Sequence, residues 1–333
     1  MNTKITFEED STALMSEVAD LYYNQGMTQQ EIARRYDCNR FKIAKMIQNA
    51  REQGIVEITI HKPNKRHMFL EQSLQETFQL SNAIVLDTRD LSRAEAMSVI
   101  GKTSALYLEQ LLTPGSTIGV TWGKTIRSVV SALDQKTQNP VNAVQLCGCF
   151  RHLNSSDGSR SITHTIAMKF NGEYFYMNLP IYINDEQARN AMLREPLIES
   201  TLNATRKMDV VLTGVGSKSS LPFNNPVLKP YISDADWKEE PNCLGSIYGH
   251  VIDQEGRIAN ISLNRKIVAA SLQDVLTTPH KIAVATGRHK VGILIACMRN
   301  RYINELITDR ATAEQILAAV SHSATDSENA IQN

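Results

Sequence analysis

Residues 281–308 read KIAVATGRHKVGILIACMRNRYINELIT, and this stretch decides the fold class. Two apolar, β-like runs, KIAVATG (281–287) and YINELIT (302–308), stand at its ends with a helical segment between them. Apolar strands separated by amphipathic helices are typical of a mainly parallel sheet with helices on both faces. We therefore predict a doubly wound α/β domain, with four further strands at AIVLD (83–87), TIGVT (117–121), NAVQL (142–146) and MDVVLTGVG (208–216).

The composition is that of an ordinary globular protein. The chain has 333 residues, 35 Lys and Arg against 35 Asp and Glu, and 42% hydrophobic residues, which is length enough for about two domains and excludes wholesale disorder. No stretch approaches the ~20 consecutive apolar residues of a membrane helix, and MNTKITFEEDS lacks the features of a signal peptide. We expect a cytoplasmic protein with no membrane partner. The five scattered cysteines fit reduced thiols, and the spacing of Cys147 and Cys149 is poor for a metal, so we expect no metal site.

The zero net charge hides a local imbalance near the N-terminus. Residues 1–33 carry one basic and six acidic residues, a net charge of −5, whereas residues 34–66 carry nine basic and three acidic residues, a net charge of +6. A short basic segment on an otherwise balanced protein indicates a module that binds a polyanion.

Two short helices are predicted ahead of the basic segment. LMSEVADLYY (14–23) carries apolar residues at helical spacing, and Gly26 is a stop signal for that helix. Thr28 precedes a second helix, QQEIARRY (29–36), and Glu31 follows three residues later, which is the spacing of a capping box. We therefore expect the second helix to begin directly after Thr28.

A third, basic helix is predicted from Arg40 to Gln53. We expect its apolar side to carry Phe41, Ile43 or Ala44, and Ile47, while Arg40, Lys42 and Lys45 project elsewhere. Helix, tight turn and basic helix are typical of the helix-turn-helix motif, whose second helix enters the DNA major groove. IVEITIH (55–61) alternates as a short strand does, and we predict that it forms a wing beside the DNA.

Six polar residues are the candidate DNA contacts. Asn and Arg side chains pair bidentately with adenine and guanine, and Lys side chains neutralise phosphates. The alternative is a three-helix packing module with a solvated basic face. Capping, turn and charge segregation coincide here, which favours DNA binding. The candidates are Thr28, Gln29, Asn39, Arg40, Lys42 and Lys45.

A polar connector separates this module from the rest of the chain. The connector, HKPNKRH (61–67), is basic and is interrupted by Pro63. The last residues are polar and small, which is typical of a frayed end. The predicted segments are a winged helix-turn-helix domain over 1–61, a linker over 62–68, an effector domain over 69–320 and a flexible tail over 321–333.

Three strand ends carry the residues expected of an anion site, because ligands of open α/β sheets bind beyond the carboxyl ends of the strands. TWGKT (121–125) supplies small hydroxyl residues and a glycine at the start of a helix. GVGS (214–217) lets the backbone approach a ligand, and TGRHK (286–290) offers Lys290 to an anion. Each of the three is also consistent with an ordinary strand-to-helix turn. Together they predict a small phosphorylated or polyhydroxylated ligand.

Cofactor motifs are missing from the sequence. Neither GxGxxG nor GxxxxGK[ST] occurs, which argues against dinucleotide and nucleoside-triphosphate sites. We therefore expect no cofactor.

The chain resembles the SorC family of bacterial sugar-responsive transcriptional regulators over nearly its whole length. The resemblance is carried by residues 21–56, TIGVTWGKTI (117–126), VVLTGVGS (210–217) and, most specifically, residues 261–317. It implies an N-terminal DNA-binding domain and an effector domain similar in fold to sugar-phosphate isomerases and glucosamine-phosphate deaminases. It also implies assembly as a dimer or tetramer and an effector that is a sugar, typically phosphorylated.

The resemblance also implies a set of effector-binding residues, and this chain departs from the family pattern at three places. Members often have Ala-Gly-Gly where this chain has a threonine, Thr286, and Gly-Asp where this chain has Gly245-Ser246, which removes an acceptor for sugar hydroxyls. Cys147 and Cys149 stand in a turn that is commonly glycine-rich, where we expect them to narrow the cavity. The implied effector-binding residues are Thr121, Gly123 and Thr125 in a phosphate-holding loop, Gly214, Gly216 and Ser217 in a second loop, Gly148 in a pocket-lining turn, and Lys290 at the anion-pairing position.

Three functions compete at this point. We predict a transcriptional regulator of a carbohydrate-utilisation operon, not an enzyme, with operator DNA and a sugar effector as partners. An isomerase or deaminase with an added DNA-binding domain would need a placed general base, and a structural interaction protein would have lost its ligand. The candidate acid/base residues, none of which stands in a convincing motif, are His164, Asp209, His250, Asp253 and His289.

Overall fold

The computed structural model describes residues 12–56, 66–149 and 158–331, with the backbone alone from residue 322 onward. The chain separates into two compact units, and the boundary lies between Pro63 and Asn64. Within the described ranges, no helix is both long and apolar enough to span a membrane.

The first unit, as described over residues 12–56, is a bundle of the helices α1 (Thr12–Tyr23), α2 (Gln29–Arg35) and α3 (Arg40–Glu52). The predicted capping box at α2 is confirmed, because Thr28 Oγ1 accepts from the Glu31 amide and the Glu31 carboxylate accepts from the Thr28 amide at 2.8 Å. The apolar faces of the helices form one small core. It contains Leu14, Met15, Val18, Ala19, Leu21, Ile32, Ala33, Tyr36, Ile43, Met46, Ile47 and Ala50.

The second unit contains ten strands within its described residues, and seven of them form one sheet in which all neighbours are parallel. The sheet order is β1-β10-β9-β5-β2-β3-β4 in the numbering that follows. All six predicted strands lie in this sheet, so the mainly parallel α/β fold is confirmed. The strands are β1 (Asn82–Leu86), β2 (Thr117–Val120), β3 (Asn142–Gln145), β4 (Tyr174–Phe175), β5 (Val210–Thr213), β6 (Gly216–Ser217), β7 (Cys243–Ile247), β8 (His250–Asp253), β9 (His280–Val284) and β10 (Glu305–Asp309).

Helices cover both faces of the seven-stranded sheet. In β9, Ile282 and Val284 face one core while Ala283 and the following Ala285 face the other, because successive strand residues point to opposite sides. Helices α5, α6 and α7 contribute to the first core, and α4, α13 and α14 to the second. The helices are α4 (Met68–Phe78), α5 (Arg93–Leu111), α6 (Lys124–Ala132), α7 (Ser159–Phe170), α8 (Glu186–Met192), α9 (Pro196–Thr205), α10 (Asp234–Glu239), α11 (Ser262–Lys266), α12 (Leu272–Thr277), α13 (Val291–Arg299) and α14 (Arg310–Ile331).

A small antiparallel sheet, β6-β7-β8, is an addition that the sequence does not predict. β7 and β8 are joined by a two-residue turn, Tyr248-Gly249, and both turn residues have positive φ (52° and 83°). Such turns match the twist of a hairpin. These strands have at most five residues, which is too short for alternation to stand out from the surrounding loops.

Three boundaries differ from the sequence prediction or cannot be compared with it. The tail predicted over 321–333 continues α14 as far as Ile331, because no Gly or Pro interrupts the sequence from Arg310 onward. The end of the predicted linker belongs to the second unit, where Arg66 pairs with Glu71 at 2.8 Å and Met68 begins α4. Most of the predicted wing, residues 57–61, lies outside the described residues.

Candidate functional site

The candidate ligand site is a cleft of about 780 Å³ at the carboxyl ends of the parallel strands. β2, β5 and β9, whose ends the sequence analysis singles out, are consecutive neighbours in the middle of the sheet. Residues from the segments that follow them, 121–126, 214–216 and 286–290, line the cleft together. The fold therefore brings three separate sequence motifs to one place.

The loop after β2 leads into the N-terminus of α6. Gly123 caps this helix with a φ of 129°, which L side chains rarely adopt, and it offers no side chain to the helix amides. Thr121 is held in place by Thr213, since their hydroxyl oxygens lie 3.1 Å apart. Thr121, Gly123 and Thr125 all line the cleft, as does the positive end of the α6 dipole.

The loop after β5 brings backbone to the cleft through Gly214 and Gly216. Gly216 pairs with Ser246 of β7, and a Cβ on residue 216 would lie 2.3 Å from Ser246 Oγ, so a larger residue here would displace the serine hydroxyl. Ser246 itself lines the cleft. The cleft wall therefore carries a serine hydroxyl at the position where the family pattern has a carboxylate. Ser217, which we expected at the ligand, lies outside the lining because its hydroxyl is buried beside Ser219 Oγ, 3.0 Å away.

The turn after β9 carries the cation of the predicted anion site. Lys290 closes a short 3₁₀ turn, Arg288–Lys290, which begins after Gly287 and leads into α13. The Lys290 side chain is half-buried, and this partial burial lowers the pKa of its ammonium group. Among the described residues, no carboxylate or carbonyl group pairs with it. An anion in the cleft would supply the missing counter-charge.

The cleft lining is basic on balance. The described lining contains three basic side chains, Arg93, Lys124 and Lys290. Its one carboxylate is that of Asp309. That carboxylate is already engaged, since Asp309 Oδ1 accepts from the Thr312 amide at 2.8 Å and so caps α14. The lining therefore suits an anionic ligand.

Several lining residues were not among the predicted site residues. Arg93 lines the cleft and is the first residue of α5, whose capping box is formed by Ser92 and Glu95. That S-x-x-E pattern is a sequence signal for a helix start. Lys124 lies within the TWGKT motif itself. Trp122 lies in the same motif, whereas Thr88 and Tyr248 have no motif that points to them. Thr88, Trp122 and Tyr248 come from a strand end, a helix start and the β7–β8 turn, respectively.

Gly148 is wrongly assigned to the pocket by the resemblance. It does not line the cleft, and a Cβ there would lie 2.6 Å from the Pro180 carbonyl oxygen, so this glycine permits close backbone packing. Cys147 is buried and its Sγ lies 3.2 Å from the Tyr248 carbonyl oxygen, beneath the β7–β8 turn. Neither Cys147 nor Cys149 belongs to the lining, so the expected narrowing of the cavity is wrong.

Of the five candidate acid/base residues, His289 alone lines the cleft within the described chain. Asp209 Oδ2 accepts from the Thr117 amide at 2.9 Å at the opposite end of the strands, and Asp253 binds the Arg257 amide at 2.8 Å. His164 packs beside the Tyr174 ring. Burial, and next the charge of Arg189, lowers the pKa of His250 to about 4, so its imidazole is neutral near pH 7.

The candidate DNA-binding residues cluster around the start of α3. Asn39 Oδ1 accepts from the Lys42 amide at 2.8 Å and caps the helix, so its amide nitrogen is the part that can face a base. Arg40 Nε donates to Gln29 Oε1 at 3.2 Å, which joins α3 to the first residue of α2. The first turn of α3 contains no acidic residue. Thr28 is the cap of α2, and Lys45 is exposed one turn beyond Phe41.

Phe41 is the one residue of α3 that the sequence places on the wrong side. It was expected to face the core with Ile47, but its side chain is 84% exposed while Ile43 is fully buried. The helix turns by roughly 100° per residue. The buried positions Ile43, Ile47 and Ala50 therefore leave residue 41 on the outer face.

Known proteins match this chain over both its helical unit and its α/β unit. The family model described as "Putative sugar-binding domain" matches residues 62–318. The sorbitol operon regulator of Klebsiella pneumoniae is 29% identical over 92% of this chain and 98% of its own length, and its full-length crystal structure superposes with a TM-score of 0.79 over 92% of this chain and 99% of that one. The deoxyribonucleoside regulator of Bacillus subtilis is 24% identical over 93% of this chain and 99% of its own length.

The chain combines a small helical unit with a parallel α/β unit that has a basic cleft beyond its strand ends. This combination defines a ligand-binding protein of the sugar-binding-domain class. The match covers most of the chain, and the relatives align with it almost from end to end. This chain belongs to the SorC family of sugar-binding transcriptional regulators.

Proposed function

We propose that this protein regulates transcription of a carbohydrate-utilisation operon and that a phosphorylated sugar, bound in the cleft, controls its affinity for operator DNA. The observation that carries the effector part is Lys290. It is a half-buried cation for which no described residue supplies a counter-charge, and two further basic residues and a helix N-terminus line the same cleft. A phosphate group supplies both the charge and the acceptor oxygens that such a site lacks.

The DNA-binding part of the proposal rests on the first unit. α2, a short turn and α3 form a helix-turn-helix motif in this proposal, with α3 in the major groove. The proposed DNA contacts are the six predicted residues at the ends of α2 and α3, and the proposed domain runs over residues 1–61 with the effector domain beyond residue 68. We also propose a homo-oligomer, because paired motifs read two half-sites of one operator.

Control by the effector requires that the ligand favour one state of the protein over another. A coupling free energy of about 1–3 kcal/mol, which is typical of allosteric proteins, changes operator affinity by roughly fivefold to 150-fold. A ligand that bound both states equally would leave operator affinity unchanged.

The effector is tested by thermal unfolding of the full chain with hexose, pentose and hexitol phosphates, each beside its unphosphorylated counterpart. A ligand that binds only the folded state stabilises it by RT ln(1 + [L]/Kd), ~2.7 kcal/mol at a hundredfold excess over Kd. We expect stabilisation by at least one phosphorylated sugar and much less by its unphosphorylated counterpart. Equal stabilisation by both would overturn the phosphate assignment.

The DNA-binding assignment is tested by Arg40→Ala in the full chain. Arg40 is exposed on the first turn of α3, so its removal should abolish specific operator binding at matched salt while leaving sugar-phosphate stabilisation intact. Operators are obtained by selection from a random duplex library with the wild-type protein. Normal operator binding by Arg40→Ala would show that α3 is not the recognition helix.

The geometry favours binding over catalysis. A general base must lie within hydrogen-bond reach of the bound substrate. Of the five candidate acid/base residues, His289, an exposed side chain at the rim turn, is the one that lines the cleft within the described chain. Turnover of aldose or ketose phosphates by the purified protein, lost in His289→Ala, would instead establish an isomerase.

A further inference from the structure

Phe41 is a large apolar side chain that the first unit leaves in water. It is 84% exposed, and the core described over residues 12–56 forms without it. Single exposed apolar residues are common on protein surfaces, so exposure alone assigns no role. The position of Phe41 in the first turn of α3, between Arg40 and Lys42, is what calls for an explanation.

The geometry of α3 puts Phe41 in the middle of its outward face. Ile43, Met46 and Ala50 point to the core on the opposite side of the helix. Lys45 and Gln48, four and seven residues after Phe41, share its face and are exposed. The outward face of the helix therefore presents an aromatic ring, a cation and an amide in succession, with no acidic group in its first turn.

We propose that Phe41 is a specificity-determining residue that recognises thymine by packing its ring against the 5-methyl group in the major groove. This inference rests on the proposed DNA-binding function of α3. Thymine is the one base that presents a methyl group in the major groove, and an apolar side chain such as Phe contacts it there. Arg40 and Lys42, which flank the ring, supply the attraction to phosphates and to guanine edges that holds the helix in place.

Neighbouring side chains allow the close approach that such a contact needs. Ala44 is small and stands on the same side of the helix as Phe41, one turn farther on, so the α3 backbone can lie near the base edges. Asn39 is fixed as the helix cap by its bond to the Lys42 amide.

The test removes single methyl groups from the DNA. Duplexes selected by the full-length wild-type protein are resynthesised with each thymine in turn replaced by deoxyuridine, which deletes the methyl and leaves the base pairing unchanged. We expect at least one replacement to weaken wild-type binding about fourfold, the factor that corresponds to ~0.8 kcal/mol for one buried methyl-sized group. Phe41→Ala should bind the thymine duplex with a similar loss and show no further loss on that deoxyuridine duplex.

The matched control is Phe69→Ala, which removes another exposed phenylalanine, 73% exposed on α4 of the second unit. This variant should keep the whole deoxyuridine penalty. A penalty that persists in Phe41→Ala would overturn the assignment, as would a selected site in which no thymine methyl affects wild-type binding. If Phe41→Ala changes the molar mass in light scattering while the penalty stays, the residue belongs to a protein contact and the inference fails. Enrichment of no sequence by the wild-type protein would instead be a failure of the proposed function itself.

Discussion

Two lysines of the second unit, one buried and one half-buried, lie at opposite ends of the strands of one sheet in opposite circumstances. Lys281, at the start of β9, is 7% exposed, and its Nζ donates to the carbonyl oxygens of Leu276 and Thr278 at 3.1 and 2.9 Å. Lys290 lies a few residues beyond the other end of β9, and no described residue accepts a hydrogen bond from its Nζ. Burial lowers the pKa of both ammonium groups. The two residues differ in their hydrogen-bond partners as well as in exposure, since Lys281 is buried and Lys290 is half-buried.

The surroundings of the two lysines repeat this contrast. At the amino edge of the sheet, Glu305 accepts from the Tyr107 hydroxyl at 2.7 Å and its other oxygen lies 2.6 Å from His280 Nδ1. Polar groups there are satisfied by one another, as buried polar groups in folded proteins generally are. At the carboxyl edge, a cation and a helix N-terminus remain open to the cleft. The ammonium group of Lys290, which has no described hydrogen-bond acceptor and lines the cleft, therefore indicates the ligand site, whereas the burial of Lys281 does not.

The largest expected difference between the two lysines concerns ligand affinity. Lys290→Ala should weaken a phosphorylated sugar by about tenfold to a hundredfold, because hydrogen bonds to charged groups contribute ~1.5–3 kcal/mol, and should leave the unphosphorylated counterpart nearly unchanged. Titration calorimetry with both sugars measures this. Equal losses for the two sugars would remove Lys290 from the phosphate site.

The pH dependence of the same titration follows from the lowered pKa of Lys290. The ammonium group is charged below its pKa, so affinity for a sugar phosphate should be lost as the pH rises through that value. Affinity should also fall below about pH 6, where the phosphate gains its second proton. Lys290→Ala should lose the alkaline limb and keep the acidic one.

The second difference concerns stability. Lys281→Met keeps most of the side-chain volume but leaves the carbonyl groups of Leu276 and Thr278 without their donor, which should lower the free energy of unfolding by about 1–3 kcal/mol. Chemical denaturation measures the change. Lys290→Ala is the matched control, and it should destabilise the protein less because no described hydrogen bond is lost. If Lys281→Met also weakened the sugar phosphate selectively, the contrast between the two edges would fail.

Much of the fold could be predicted because buried parallel strands are continuous apolar runs. All six predicted strands are in the sheet, and the alternation of Ile282 and Ala283 between the two cores needs only the geometry of a strand. Short elements gave no comparable pattern. The two-residue β4 and the β6–β7–β8 sheet were therefore not predicted.

The candidate site was predicted where residues follow the ends of neighbouring strands, and was missed where packing decides. Thr121, Gly214 and Lys290 come together because β2, β5 and β9 are adjacent in the sheet. Gly148 carries the same kind of motif, yet it faces the Pro180 backbone, which no spacing rule shows. The apolar pattern of α3 predicts Phe41 in the core, and this prediction is wrong. Hydrophobicity alone does not show which apolar residue stays exposed when a small helical core forms.

The smallest expected difference tests the contribution of the backbone at the carboxyl ends of the strands. Gly123 and Gly115 both have positive φ, 129° and 89°, and a Cβ would meet nothing within 4 Å at either, so Gly123→Ala and Gly115→Ala should each cost about 1–3 kcal/mol of stability through backbone strain. Gly115 precedes β2 at the amino edge, whereas Gly123 orients the first amides of α6 toward the cleft. Gly123→Ala alone should also weaken the sugar phosphate, by about 0.5–1.5 kcal/mol, which is the contribution of one hydrogen bond. Calorimetry on the two variants separates the effects, and equal affinity in both would mean that Lys290 and the side chains bind the anion without the helix amides.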